Sequence, residues 1–314
     1  MTRPNDNFLT EEQLRNVRRH ADRLMREASA YGRFPTPIDD ILAAAKLKVV
    51  DDEVLNESAL RTFFAKAKAT FSTLKSALGK VLGLLEVNDH LVVLDKDCPV
   101  PRMPFIKMHE AGHNSMPHQR ELFALIHDCE KTIDPDITDL FEREANVFAS
   151  EALFQGDIFA REAHDLDFGT RTVIDLAKKY GTSNYSTFRR YVTTNSQCCC
   201  LIVLEQPSWD ATMGIRAEVR RVVASKTFDS VYDSTSLAAT VTKGHPVKSL
   251  VPYGRQRIVK PKNVGLVDRN GALRECVGES FNTGKHILVL IRDTGPLRAT
   301  IILPAAKRVL VPRR

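Results

Sequence analysis

The chain has no apolar run approaching the roughly 20 residues that a bilayer-spanning helix requires, and its polar start, MTRPNDNFLTEEQ, lacks the apolar core of a secretory signal. These absences exclude a membrane span and lead to the expectation of a cytoplasmic protein. No internal repeat and no low-complexity stretch occurs, which excludes solenoids and biased linkers. The six cysteines have no zinc-ribbon spacing: Cys98, Cys129 and Cys276 stand alone, while Cys198, Cys199 and Cys200 are consecutive within QCCCLIVLE. Neighbours in a strand point to opposite faces, so the triplet forms no ordinary disulfide. The thiols read as buried and free, with a redox role as the lesser alternative.

With 43% hydrophobic and 27% charged residues, the chain is a folded protein rather than a disordered one. Its 314 residues suggest two or three compact units. The net charge of +6 is uneven. Residues 197–314 carry 19 Lys and Arg against 9 Asp and Glu, and the remainder carries 26 against 30. The basic half suits either an anionic partner or a plain solvated face.

Thr10-Glu11-Glu12-Gln13 has the form of a capping box that opens a helix with Leu14, Val17, Ala21, Leu24, Ala28 and Tyr31 on one face. Gly32 and Pro35-Thr36-Pro37 end it. A short helix from Ile38 to Leu47, a strand at Lys48-Val49-Val50 and a helix from Glu57 to Leu78 are expected next. Val81–Val87 and Leu91–Leu94 flank Asn88-Asp89-His90 as a β-hairpin. Helices then carry His109 and span Ile137 to Phe154. Thr172 to Val192 reads as two helices around Gly181, with the small residues Ala177 and Gly181 where a tight helix-turn-helix needs them. Beyond Cys198 short strands dominate (Leu201–Leu204, Val264–Val267, His286–Ile291), interrupted by one helix, Arg216 to Ser225.

The chemistry concentrates in His109-Glu110-Ala111-Gly112-His113. On a helix, positions four apart share a face, so the two imidazoles can grip one zinc ion. Glu110 then stands beside the first ligand as the base that takes a proton from water and passes it to the leaving amine. A metzincin would add a Gly and a His where Met116 and Gln119 stand, which excludes that class. A gluzincin-like site draws its third ligand from a second helix, and Phe141–Ala149 offers Glu142 first and Glu144 second. Asn146, one turn from Glu142, is expected to hydrogen-bond a ligating histidine. His118 and His127 are candidates for helping to hold an oxyanion, although an incidental histidine is the simpler reading of each.

Phe105–His113 and Glu142–Glu151 resemble the ImmA/IrrE family of bacterial and phage metallopeptidases. So do Pro35–Asp39, Gly83–His90, Leu176–Ser183 and Arg189-Arg190-Tyr191, and the likeness covers about residues 10–205. Two departures stand out: a long insertion between His113 and Glu142, and Leu153-Phe154-Gln155-Gly156 where the family has Leu-Leu-Met-Pro. The resemblance implies Zn2+ held by His109, His113 and Glu142, with Glu110 as catalytic base. It also implies a specific protein substrate, a helix-turn-helix repressor whose cleavage releases stress, mobile-element or defence genes. Some family members are instead toxin–antitoxin components. In radiation-response members a sensor-like domain resembling GAF follows the helix-turn-helix, and the strands after Cys198 would be its counterpart.

The expected fold is therefore α+β. A mainly helical metallopeptidase domain with a small sheet spans 1–160, a helix-turn-helix-like region 161–196 and a basic β-rich domain 197–314. The alternative to a zinc endopeptidase is a DNA-binding regulator with a structural or vestigial metal site, motivated by Ala177, Gly181, Arg189, Arg190 and the basic C-terminal part.

Overall fold

The computed structural model describes residues 9–51, 83–86, 91–94, 100–121, 135–212, 214–252 and 257–296. The helix expected over 57–78, the turn at 88–90, and Cys98, His127 and Cys129 lie outside them.

The described residues form a mixed α+β structure. Helix α1 (Glu11–Glu27) begins on the capping box: Gln13 donates its backbone N–H to Thr10 Oγ1, and Thr10 donates its own to Gln13 Oε1. Its apolar face, Val17, Ala21, Leu24 and Met25, is buried. Helix α2 (Ile38–Ala44) leads into β1 (Lys48–Asp51), which pairs in parallel with β3 (Leu91–Leu94). β3 also pairs antiparallel with β2 (Gly83–Glu86), giving a three-stranded sheet of order β1-β3-β2.

Two helices cross beside that sheet. α3 (Met103–Ser115) starts with Pro104 in its first turn, where no helical N–H is lost, and is buried around most of its circumference. α4 (Pro135–Leu153) packs on it, with Phe148 against Gly112, and also on α1, burying Phe141, Ala145, Ala149 and Ala152. The end of α4 holds the chain that follows α1. Gln155 accepts from the Gly32 N–H and donates to Arg33 O and Thr36 Oγ1, while Thr36 Oγ1 donates to Leu153 O. The Gln155-Gly156 ending thus supplies partners to backbone groups of another segment.

α5 (Asp157–His164) precedes the helix pair α6 (Thr170–Tyr180) and α7 (Asn184–Thr194). Gly181 joins them in the left-handed region at φ 69°, and a Cβ there would stand 2.8 Å from the Pro35 Cβ. Glycine meets both demands.

The second sheet is antiparallel, of order β7-β4-β10-β9-β8. Its strands are β4 (Cys199–Leu204), β7 (Val219–Ala224), β8 (Ile258–Val267), β9 (Leu273–Asn282) and β10 (Ile287–Pro296). A small hairpin, β5 (Ser208–Asp210) with β6 (Gly214–Arg216), extends from the β4–β7 pair and carries the exposed Trp209. Every residue of β4 is buried because both faces are covered. Cys199, Leu201 and Val203 face the helices and join the core that holds Met108, Phe148 and Tyr191. Cys200, Ile202 and Leu204 face a second core with Phe228, Tyr232 and Leu250.

The helix expected over Arg216–Ser225 is corrected to strand followed by helix. Val219–Ala224 pairs with β4, and helix α8 begins only at Lys226, capped by Ser225. Three valines on a strand shared between two cores outweigh helix propensity there.

Candidate metal centre

His109 and His113 share one face of α3, and their Nε2 atoms stand 3.0 Å apart. Glu142 reaches them from α4, with Oε2 at 3.3 Å from His109 Nε2 and Oε1 at 3.5 Å from His113 Nε2. Ligand atoms about 2.1 Å from a tetrahedral centre stand about 3.4 Å apart, so the three side chains have the separations one ion needs. Two imidazoles and one carboxylate form a donor set suited to zinc, and three protein ligands leave a fourth position for water or substrate. Among the described residues, this trio is the one group of His, Cys, Asp and Glu that could hold a metal ion.

The electrostatics follow from burial and proximity. Burial pushes the Glu142 carboxyl up, but His109 and His113 outweigh it and hold Glu142 well below the usual carboxylate range. Burial likewise pulls the His113 imidazole down, while Glu142, Glu110 and Gln119 together lift it above its ordinary value. Glu110 is 3% exposed, and burial raises its pKa against the charges of His109 and His113. Its Oε1 has no hydrogen-bond partner among the described residues. A buried carboxylate oxygen without a donor is costly in a folded protein.

Glu144 is not in the ligand trio. It is buried and turned toward the segment after α3, where its Oε2 lies 2.6 Å from Gln119 Nε2 and 2.7 Å from His118 Nε2. Residues two apart on a helix diverge by about 200°, so Glu142 and Glu144 serve different neighbours. The hydrogen bond expected from Asn146 to a ligating histidine is absent among the described residues. Gln119 takes that place, with Oε1 at 2.6 Å from His113 Nδ1. Asn146 sits one turn from Glu142, which made it attractive in sequence, but its side chain does not reach either ring. His118 is engaged by Glu144 rather than presented to the trio.

Arg190, a possible DNA contact by sequence, is 8% exposed and locked to Glu151 at 2.9 and 3.2 Å. Helix α7 lies between α5 and the second sheet, with Thr187, Phe188, Tyr191 and Val192 buried. Glu279 of β9 accepts from the Thr170 backbone N–H at 2.9 Å and its hydroxyl at 2.8 Å, joining the start of α6 to the sheet. The thiols of Cys199, Cys200 and Cys276 are buried, and burial raises the pKa of Cys199 to about 12 and of Cys276 to about 11. Such thiols are poor nucleophiles.

The chain matches no protein-family model and no curated protein. In structure it is similar to a Mycobacterium tuberculosis transcriptional regulator, with a TM-score of 0.51 and 11% sequence identity over 95% of each chain. At that identity the likeness shows a shared fold and nothing more. Among the described residues no helix is long and apolar enough to cross a membrane.

Proposed function

We propose that the protein is a zinc-dependent endopeptidase of the ImmA/IrrE type that cuts one specific partner, a helix-turn-helix repressor. The convergence of His109, His113 and Glu142 within 3.0–3.5 Å of one another, beside the buried and unpartnered Glu110 oxygen, carries this reading. Zinc held by the three side chains would supply Lewis acidity, polarising a peptide carbonyl and acidifying a water molecule. Glu110 accepts the proton of that water on its carboxylate and returns it to the leaving amine. Burial raises the pKa of Glu110, the direction that makes its carboxylate a better proton acceptor. The repressor as substrate comes from the family resemblance, and a role in gene control fits the name of the structural neighbour.

The test is cleavage of a small helix-turn-helix protein encoded next to this gene. Wild type should cut it; Glu110→Gln and chelator-treated wild type should not. Equal degradation of the partner in all three samples would defeat the reading.

The alternative, a regulator that binds DNA through the helix pair, finds less support in the packing. A recognition helix must offer its side chains to the major groove, and α7 buries Thr187, Phe188, Tyr191 and Val192, with Arg190 committed to Glu151. Specific DNA affinity that falls steeply with salt and is lost on Arg189→Ala would favour this alternative.

A further inference from the structure

Beneath His113 runs a chain of side chains that the reaction does not consume. His113 Nδ1 meets Gln119 Oε1 at 2.6 Å, Gln119 Nε2 meets Glu144 Oε2 at 2.6 Å, and His118 Nε2 meets the same Glu144 oxygen at 2.7 Å. Gln119 is fully buried and Glu144 is 3% exposed, whereas the His118 side chain is 39% exposed. The series therefore passes from the partly exposed His118 to the inner edge of the metal-binding ring.

Its direction follows from elementary hydrogen-bond chemistry. The backbone oxygen of Phe141 only accepts, and it and Glu144 Oε2 both meet the same Gln119 atom, so that atom is the amide nitrogen, which donates. That choice turns the Gln119 carbonyl oxygen toward His113. A carbonyl oxygen also only accepts, so the proton must sit on His113 Nδ1. The Nε2 lone pair is then directed at the side where His109 and Glu142 converge. Glu144 and the Phe141 carbonyl thus set the amide orientation, and the amide sets the tautomer and rotation of the ring. Gln119 is further fixed by Nε2 contacts to Phe141 O at 3.5 Å and Met116 Sδ at 3.8 Å.

We propose that Gln119 and Glu144 are positioning residues of the metal centre, holding His113 in the Nδ1–H form with its Nε2 lone pair turned toward His109 and Glu142. The proposal rests on the metal-site reading above but not on peptide cleavage. Partners of this kind are typically worth about 10–100-fold in metal affinity.

The experiment measures zinc affinity by competition with a chromophoric chelator, and the His113 tautomer by 15N NMR of the metal-free protein at a pH where the ring is neutral. Wild type should show Nδ1–H. Gln119→Leu should bind zinc about 10–100-fold more weakly and lose the Nδ1–H preference. The exchange variant Gln119→Glu with Glu144→Gln keeps an acceptor on His113 and a donor between the two positions. It should return affinity to within a few-fold of wild type, and it carries the test should Gln119→Leu not fold. Unchanged affinity and tautomer in Gln119→Leu would overturn the proposal, as would an exchange variant that folds yet binds as weakly as Gln119→Leu. Wild type that binds zinc but cuts nothing would defeat the peptidase reading and leave this proposal standing. If wild type bound no zinc, the metal reading would fall and with it the role proposed for Gln119 and Glu144.

Discussion

A Cβ placed on Gly112 would lie 3.1 Å from both Cβ and Cγ of Phe148. The helix bearing the two histidines and the helix bearing Glu142 therefore approach so closely at Gly112 that even a methyl group there would press on Phe148.

Gly112→Ala must move Phe148, which is fully buried. The expected result is about 1–3 kcal/mol of destabilisation from overpacking, together with weaker zinc binding as α3 and α4 separate. Chemical denaturation and zinc titration check both effects. A variant unchanged in both would show that the contact has slack.

Zinc held as proposed, by side chains that only the folded state brings together, should stabilise that state. At a free concentration about 100 times its Kd, zinc is expected to add about 2.7 kcal/mol, lost again on chelation. Glu142→Ala should abolish most of this gain, whereas Glu144→Ala should reduce it only in part. Thermal unfolding with and without zinc separates the two, and equal gains in wild type and Glu142→Ala would remove Glu142 from the ligand set.

Acid should attack the joint between α4 and α7. Burial raises the Glu151 carboxyl, but Arg190 and Arg18 outweigh it and hold its folded pKa below the ordinary glutamate value. A depressed carboxyl contributes stability above its unfolded pKa, and that contribution fades as pH falls through the folded value. Wild type should thus lose stability below about pH 4.5. Glu151→Gln should flatten this acid limb but be less stable at pH 7 by about 3–5 kcal/mol, because Arg190 remains buried without its counter-charge. Urea unfolding across pH decides it: an acid limb as steep in Glu151→Gln as in wild type would assign the loss to other groups.

The buried thiols should be inert. With Cys199 raised to about 12 and Cys276 to about 11, alkylation at pH 8 should spare both until the protein is denatured. Mass-spectrometric mapping reads this directly, and rapid labelling of native Cys199 or Cys276 would restore the redox alternative.

Much of the architecture was legible in the residues. The capping box at Thr10, the strand at Lys48, the paired strands around residues 83–94 and the turn at Gly181 rest on local signals, and the structure contains each. His109, His113 and Glu142 were legible because a fixed helical spacing brings two residues onto one face, and a second polar helix could supply the third ligand. Gln119 was hidden because it lies beyond the break at Met116, in the helical segment 117–121, whose register does not continue that of α3. In sequence it served only to exclude a third histidine. The different tasks of Glu142 and Glu144 depend on which neighbour each meets, which periodicity on one helix does not reveal. Arg190 read as basic surface, yet a partner 39 residues earlier draws it inside. Val219–Ala224 was mistaken for helix because pairing with β4 supplies most of its stabilisation, and that pairing is non-local.

One apolar cluster runs from Met108 and Phe148 beside the histidines, through Tyr191 and Val192, to Leu201 and Leu290 in the second sheet. The helices that carry His109, His113 and Glu142 are therefore no portable cassette. A fragment ending before β4 would leave Tyr191 and Val192 facing water and strip Glu279 from the start of α6. The strands belong to a different sheet, yet they are part of the scaffold against which the helices of the candidate site pack.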